Sequence, residues 1–316
     1  MPRPNPFLLI TMLFWGFNFV SMKILFPVMA PSAVVFWRYF IMGAVLVLIC
    51  AASRQSLRIP VEHRTAILLT GFFSMGIYMV LFFEGVKRAP AGESAIILAT
   101  NPIMVGVMSM ILGREPKSTA RVLGSLVALV GVALVVLGRP DALVVSKETS
   151  ERFVGDVLLF LSAIAWATSV ILAKPVSAHV KPLPLFTMSM LGGLPVVAIY
   201  GFAEAFRVNW GAFNAWHWAN LAQIALGSGV IAMVFYYRGV AELPASVASL
   251  HQFLVPVLTT LFAAMILHER LAWVQGFGVG VLLVGLSVNV GLIKLTKKSD
   301  PGDQKPEPLL GSEARP

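Results

Sequence analysis

Residues 85–131 read GVKRAPAGESAIILATNPIMVGVMSMILGREPKSTARVLGSLVALVG, and residues 239–285 read GVAELPASVASLHQFLVPVLTTLFAAMILHERLAWVQGFGVGVLLVG. The stretches lie 154 residues apart and agree at 11 of 47 positions. Gly85, Pro90, Ala91, Pro102, Glu115, Gly124 and Gly131 recur as Gly239, Pro244, Ala245, Pro256, Glu269, Gly278 and Gly285. A shared apolar bias produces chance identities between membrane segments, but not a common spacing of Pro, Glu and Gly. The chain repeats itself, and a repeat of this length sets the whole architecture.

The beginning of each half repeats too. Thr11, Trp15, Asn18 and Lys23 return as Ser162, Trp166, Ser169 and Lys174, 151 residues later. Around these matches the 316 residues are 58% apolar and only 12% charged, against about 25% charged in a soluble domain. Mean hydropathy is +0.83. These values exclude a disordered chain, a nucleic-acid-binding arm and a disulfide-stapled module, and Cys50 is the only cysteine. They point to lipid as the main solvent.

A membrane-spanning helix needs about 20 apolar residues. Ten stretches qualify: 7–26, 33–51, 65–84, 92–112, 120–137, 155–173, 184–203, 217–237, 244–267 and 272–293. They are continuous apolar runs without strand alternation, and backbone groups in hydrocarbon must be satisfied internally, so helices are expected. Each half holds five spans. Five is odd, so the second half enters the membrane from the opposite side. The expected fold is an all-α integral membrane protein, ten transmembrane helices as two inverted five-helix repeats around a central cavity. The expected units are a first repeat over 1–137, a polar linker over 138–154, a second repeat over 155–293 and a disordered cytoplasmic tail over 294–316.

Basic residues set the orientation. With the N-terminus inside, 13 Lys and Arg fall in inner loops and 8 in outer ones, among them Lys23, Lys87, Arg88, Arg152 and Arg270. Both termini are therefore expected in the cytoplasm, with the chain in the inner (plasma) membrane. The net charge of +9 belongs to those loops and calls for no nucleic-acid partner. Trp210, Trp216 and Trp218 suit an interfacial belt. The first span is expected to be retained, because its pattern recurs at span six.

The sequence resembles the EamA family of the drug/metabolite transporter superfamily. The resemblance is carried by Trp15-Gly16-Phe17-Asn18-Phe19 through Lys23, by Phe36-Trp37-Arg38-Tyr39, by Pro90 through Pro102 to Glu115 with Gly124 and Gly131, and by the second-half copy. It covers residues 7–293. It implies the same ten-helix fold and the export of small metabolites such as amino acids. Span seven departs from the pattern, with Met188-Ser189-Met190 in place of the basic-aromatic pair.

Thr11, Trp15 and Asn18 share one helix face, as do Ser162, Trp166 and Ser169. Polar and aromatic side chains inside a span should face protein or a wet cavity. Two readings stand: facing walls of a substrate cavity, or interhelical hydrogen bonding. Lys23 and Lys174 either snorkel to the headgroups or attract a carboxylate at the cavity mouth. Arg38 is the one cation well inside a span, and it meets an anionic substrate group, helix carbonyls or Glu84. Tyr78 is the cavity candidate among the aromatics of spans three and eight. Asn101, His251 and Gln252 are polar where their repeat positions (Val255, Ile97 and Leu98) are apolar. That fits a duplicated scaffold with unduplicated binding chemistry. His251 either offers a route to proton coupling or is a neutral hydrogen-bonding residue.

Pro102 and Pro256 are expected to bend their helices. Glu115 and Glu269 are expected at the N-termini of spans five and ten. Gly124 with Ala128, and Gly276 with Gly280, are expected to admit close helix approach. No metal site or cofactor is expected, and no HExxH, GxSxG or Asp-rich motif supports an intramembrane enzyme. The alternative cargo, a sugar phosphate or nucleotide sugar, would require several cavity cations. The expected partners are a small-molecule substrate and membrane lipid.

Overall fold

A computed structural model of the chain describes residues 5–58, 61–114, 118–138, 146–242 and 251–289. Most of the described residues are helical, with no strand among them. Eight helices are long and apolar enough to cross a membrane: α1 Pro6–Leu25, α2 Pro31–Ala52, α3 Val61–Arg88, α4 Ala91–Ile111, α5 Thr119–Leu137, α6 Lys147–Val176, α7 Pro182–Ala205 and α8 Ala215–Tyr236. Two further apolar helices, α9 Leu254–Leu267 and α10 Trp273–Val288, are shorter. Residues 243–250, which precede the described turn before α9, and 290 onward, after α10, lie outside the described part.

Local chemistry starts these helices where the sequence offers a cap. Asn5 Oδ1 accepts from the amides of Phe7 (3.0 Å) and Leu8 (3.2 Å), with Pro6 in the first turn of α1. Pro31 and Pro182 open α2 and α7, where a missing N–H costs nothing. Asn214 and His217 close a capping box on α8. Ser146 caps α6 through the Thr149 amide (3.1 Å). As a result α6 begins at Lys147, and the second part of the polar stretch expected to be a linker, 147–154, forms its first two turns. Salt bridges hold those turns: Glu151 meets Arg88, and Arg152 meets Glu93.

Large apolar side chains point outward from many of these helices. Ile199 is 88% exposed, Trp273 85% and Ile111 77%. A water-soluble surface does not carry this much apolar exposure; a lipid-facing one does.

The helix contacts follow a rule. α1 packs on α8 and α9, while α6 packs on α3 and α4. α2 packs on α8, and α7 on α3. The remaining large pairs are α2 with α7, α5 with α10, and α4 with α9. Exchanging each helix of the first five with its counterpart in the second five returns this same set of pairs.

Two of the self-paired contacts run antiparallel. On α2 and α7, Ser32 lies at Gly201 and Gly43 at Met190. On α5 and α10, Gly131 lies against Gly278 and Leu282, and Gly285 against Gly124 and Ala128. The small residues at the α5–α10 seam are therefore Gly124, Ala128, Gly131, Gly278 and Gly285. Gly276 and Gly280, expected there from their four-residue spacing, face open space. Gly124 and Gly131 are seven apart, as are Gly278 and Gly285, and two turns bring each pair to one face.

Candidate functional site

The stripe on α1 faces the other half of the chain. Thr11 is fully buried; its hydroxyl donates to the Phe7 carbonyl (2.8 Å), with the α8 carbonyl of Ala232 at 3.2 Å. One turn on, Trp15 Nε1 donates to the Ser228 carbonyl (3.3 Å), and its ring lies 5.2 Å from that of Tyr236. Asn18 is buried, and its Oδ1 accepts from the Ser228 hydroxyl (2.7 Å). Gln252 donates its amide to the Tyr236 hydroxyl (3.2 Å). Trp15, Asn18, Ser228, Tyr236 and Gln252 thus form one polar and aromatic wall between α1 and α8.

The stripe on α6 faces the first half. Trp166 packs its ring 5.2 Å from Tyr78 of α3, and Tyr78 stacks on Phe82. Ser162 and Ser169 do not extend this wall. Their hydroxyls turn back onto the carbonyls of Leu159 (2.6 Å) and Trp166 (2.7 Å) in their own helix. The tryptophans are equivalent across the repeat, whereas the polar partners are not.

Both walls meet a π-helical stretch, Phe72–Ile77 in α3 and Gln223–Ile231 in α8. Such stretches displace one backbone bond and concentrate at functional sites. Ser74 and Ser228 occupy them at the repeat offset of 154; Ser74 donates to the Thr70 carbonyl (2.8 Å), and the single Ser228 proton is shared between Asn18 Oδ1 and the Ile224 carbonyl (2.9 Å). Sequence reasoning missed Ser228, the residue holding Asn18. Its match to Ser74 at that offset was the available signal.

Arg38 on α2 is only 8% exposed. Its guanidinium stands 5.6 Å from the centre of the Phe83 ring, and Tyr78 is close enough to act on it electrostatically. Nε and Nη1 have no hydrogen-bond partner among the described residues. Glu84, one expected partner, is occupied by Arg88 and Tyr200. The neighbours of Arg38 are spoken for: Tyr39 donates to the Met190 carbonyl, and Trp37 Nε1 to that of Ala205 (3.1 Å).

Prolines break two helices at matching places. α4 is interrupted at Ala99–Thr100, three residues before Pro102, and α9 is preceded by a turn at Phe253, three before Pro256. The ring of each proline removes an amide donor and crowds the carbonyl four residues back. Asn101 follows the first break, and its Oδ1 is buried without a partner among the described residues. His251 and Gln252 precede the second; both are half-buried.

At the end where α3 finishes and α4 begins, charged groups knit the halves together. Glu269, in the segment joining α9 to α10, accepts from the amides of Ala91 (2.8 Å) and Gly92 (3.1 Å). It therefore caps α4 of the first half rather than its own span ten, because the start of α4 holds free amides there. Its repeat mate Glu115 lies outside the described residues. Glu93, fully buried, accepts from Arg152 Nε (3.0 Å). Lys23 donates to the Lys87 carbonyl (3.2 Å), with Glu269 and Arg152 in electrostatic reach. These groups border a cavity of about 230 Å³, lined by Glu93, Arg152, Thr260, Glu269, Arg270 and Gln275 among others. Lys174, the repeat mate of Lys23, is exposed.

The model of the EamA-like transporter family matches residues 4–137 and again residues 153–291. The chain belongs to this family. Relatives across the EamA-like transporters include two proteins of Bacillus subtilis named as uncharacterized transporters. YetK is 24% identical over 80% of this chain and 76% of its own length; YyaM is 23% identical over 90% and 92%. A WAT1-related chloroplastic protein of Arabidopsis thaliana is 24% identical over 86% of this chain and 66% of its own. One protein of known crystal structure shares the fold, with a TM-score of 0.62 at 18% identity over 90% of this chain and 95% of that one. This EamA-like protein is thus a multi-pass membrane protein of a transporter family.

Proposed function

We propose that the chain is a secondary transporter that exports small metabolites, such as amino acids or related compounds, across the inner membrane by alternating access. In this reading ten helices cross the membrane as two inverted five-helix repeats, 1–137 and 155–293, with both termini in the cytoplasm. The observation that carries it is the reciprocal packing. Trp15 of the first half meets α8 of the second, and Trp166 of the second meets α3 of the first. A helix paired antiparallel with its own repeat mate has its twofold axis perpendicular to both, and so in the membrane plane. Two halves related in this way can rock about a site between them.

In this reading, with the N-terminus inside, the Glu269 cap and the Glu93–Arg152 pair lie at the outer end and part when that end opens. Trp15 offers apolar contact and Asn18 a polar handle for substrate. His251 is the candidate for proton coupling. A sugar-phosphate cargo is disfavoured, since Arg38 is the one buried cation in the described spans while Lys23 and Lys174 stand at helix ends. The test is counterflow in proteoliposomes with a panel of amino acids, purines and organic cations. Trp15→Ala and Asn18→Ala proteins that fold normally should lose flux at least tenfold. Wild-type flux in both variants removes the cavity assignment.

A further inference from the structure

A guanidinium inside a membrane protein costs free energy unless an anion or a set of acceptors neutralises it. Arg38 is only 8% exposed, and two of its nitrogens are unpartnered among the described residues. Beside it lies a hollow of about 10 Å³ walled by Val35, Tyr39, Met42, Met75 and Met79. That volume accepts about one water-sized group. The methionine walls are unbranched and adaptable, so they can yield to a larger apolar body. The ring of Phe83 adds an aromatic face, its centre 5.6 Å from the guanidinium carbon. The repeat mate of Arg38 is Ser189, whose hydroxyl is satisfied by the Phe186 carbonyl (2.8 Å). The charge is therefore single, and no symmetry of the scaffold requires it.

We propose that Arg38, with Met75, Met79 and Phe83 around it, binds the carboxylate of an amphipathic monocarboxylate. The planar fork of Arg matches a carboxylate with two parallel hydrogen bonds. One buried cation neutralises one negative charge; a dianion would leave a charge unpaired in low dielectric, and an amine that carries no carboxylate would be repelled. The apolar remainder of the ligand packs on the thioethers and rings. This site deepens the transport reading above, since it names the group by which cargo is held, but binding can be measured without transport.

The experiment uses the purified full-length protein in micelles, in chloride-free sulfate buffer. Phenylacetate, phenylacetamide, phenethylamine and chloride are titrated while thermal stability and tryptophan fluorescence are read. Phenylacetate should raise Tm and change the fluorescence, and the neutral amide and the amine should do neither. Arg38→Met should lose the phenylacetate response by at least tenfold in affinity. Its own Tm should equal or exceed that of the wild type, because an unpartnered buried charge has been replaced by an apolar chain of similar length. A purely structural Arg38 gives the opposite sign, a lower Tm. If Arg38→Met fails to fold, Arg38→Lys provides the same test, keeping the charge but losing the fork, again with at least a tenfold loss. The proposal is overturned by equal binding of phenylacetamide, by an undiminished response in both variants, by saturation with chloride alone, or by no phenylacetate response in the wild type. In proteoliposomes the readings separate. Binding without flux sinks the transporter and keeps the site; wild-type flux of phenylacetate in Arg38→Met sinks the site and keeps the transporter.

Discussion

Thr11 and Asn18 stand on one face of α1, yet their hydrogen bonds give them different tasks. The single Thr11 hydroxyl proton is shared between two carbonyls, that of Phe7 in its own helix (2.8 Å) and that of Ala232 in α8 (3.2 Å). Asn18 instead meets a side chain, the Ser228 hydroxyl, and under the proposed transport function exchanges that partner for a ligand. Thr11→Val should therefore leave flux unchanged while lowering stability by about 0.6 kcal/mol, the average for an interhelical hydrogen bond in a membrane. A large loss of flux in a folded Thr11→Val protein would place Thr11 at the substrate instead. His268 is a second residue-scale case. It ends α9 with a left-handed φ of 57°, a conformation that costs a side-chain-bearing residue roughly 1–2 kcal/mol. His268→Gly should raise Tm in a thermal melt; an unchanged or lower Tm would mean that the imidazole contributes more than the strain removes. The stripe on α1 was legible in the sequence because helical spacing alone puts Thr11, Trp15 and Asn18 together. Ser228 was not, since a serine bonded four residues back looks like any other packing residue in an apolar helix.

The α5–α10 seam shows how element-scale packing departs from motif spacing. A Cβ built on Gly131 stands 2.7 Å from Leu282 Cα and 2.8 Å from the Gly278 carbonyl, whereas one built on Gly280 meets nothing within 4 Å. Gly131→Leu must push the helices apart, at about 1–3 kcal/mol or more for overpacking. Gly280→Leu should be neutral, so the pair of Tm values tests the seam; equal values for the two variants would contradict it. The repeat had already marked the right glycines, because Gly124 and Gly131 recur as Gly278 and Gly285. The four-residue spacing of Gly276 and Gly280 was the weaker guide, since any two such residues share a face but nothing says which face is buried. The proline breaks were readable from Pro102 and Pro256 by steric argument. The target of Glu269 was not: a carboxylate near one helix start can reach another, and only the tertiary arrangement brings the amides of Ala91 and Gly92 to it.

At the scale of the molecule, the repeat, the count of apolar stretches and the family were all written in the sequence, in the spacing of a few Pro, Glu and Gly residues. Which helices touch across the halves was not, because apolar faces carry little information about their partners. The observed pairs exchange into one another when the halves are swapped, and charged groups join the halves at one end. If transport is a rocking of the halves, that end must open in every cycle. Gly92 and Glu269 report on it directly: they belong to different halves, lie in contact, and the atoms nearest a Cβ at Gly92 are Thr260 Oγ1 at 3.4 Å and Glu269 Oε2 and Thr260 Cα at 3.7 Å, ordinary contact distances. In a background with Cys50→Ala, cysteines at Gly92 and Glu269 can be joined by a short bis-maleimide in proteoliposomes. Counterflow should fall to the level of protein-free vesicles on cross-linking, while the uncross-linked double variant and each single variant treated with the reagent retain flux. Undiminished counterflow after complete cross-linking would contradict alternating access between these two halves.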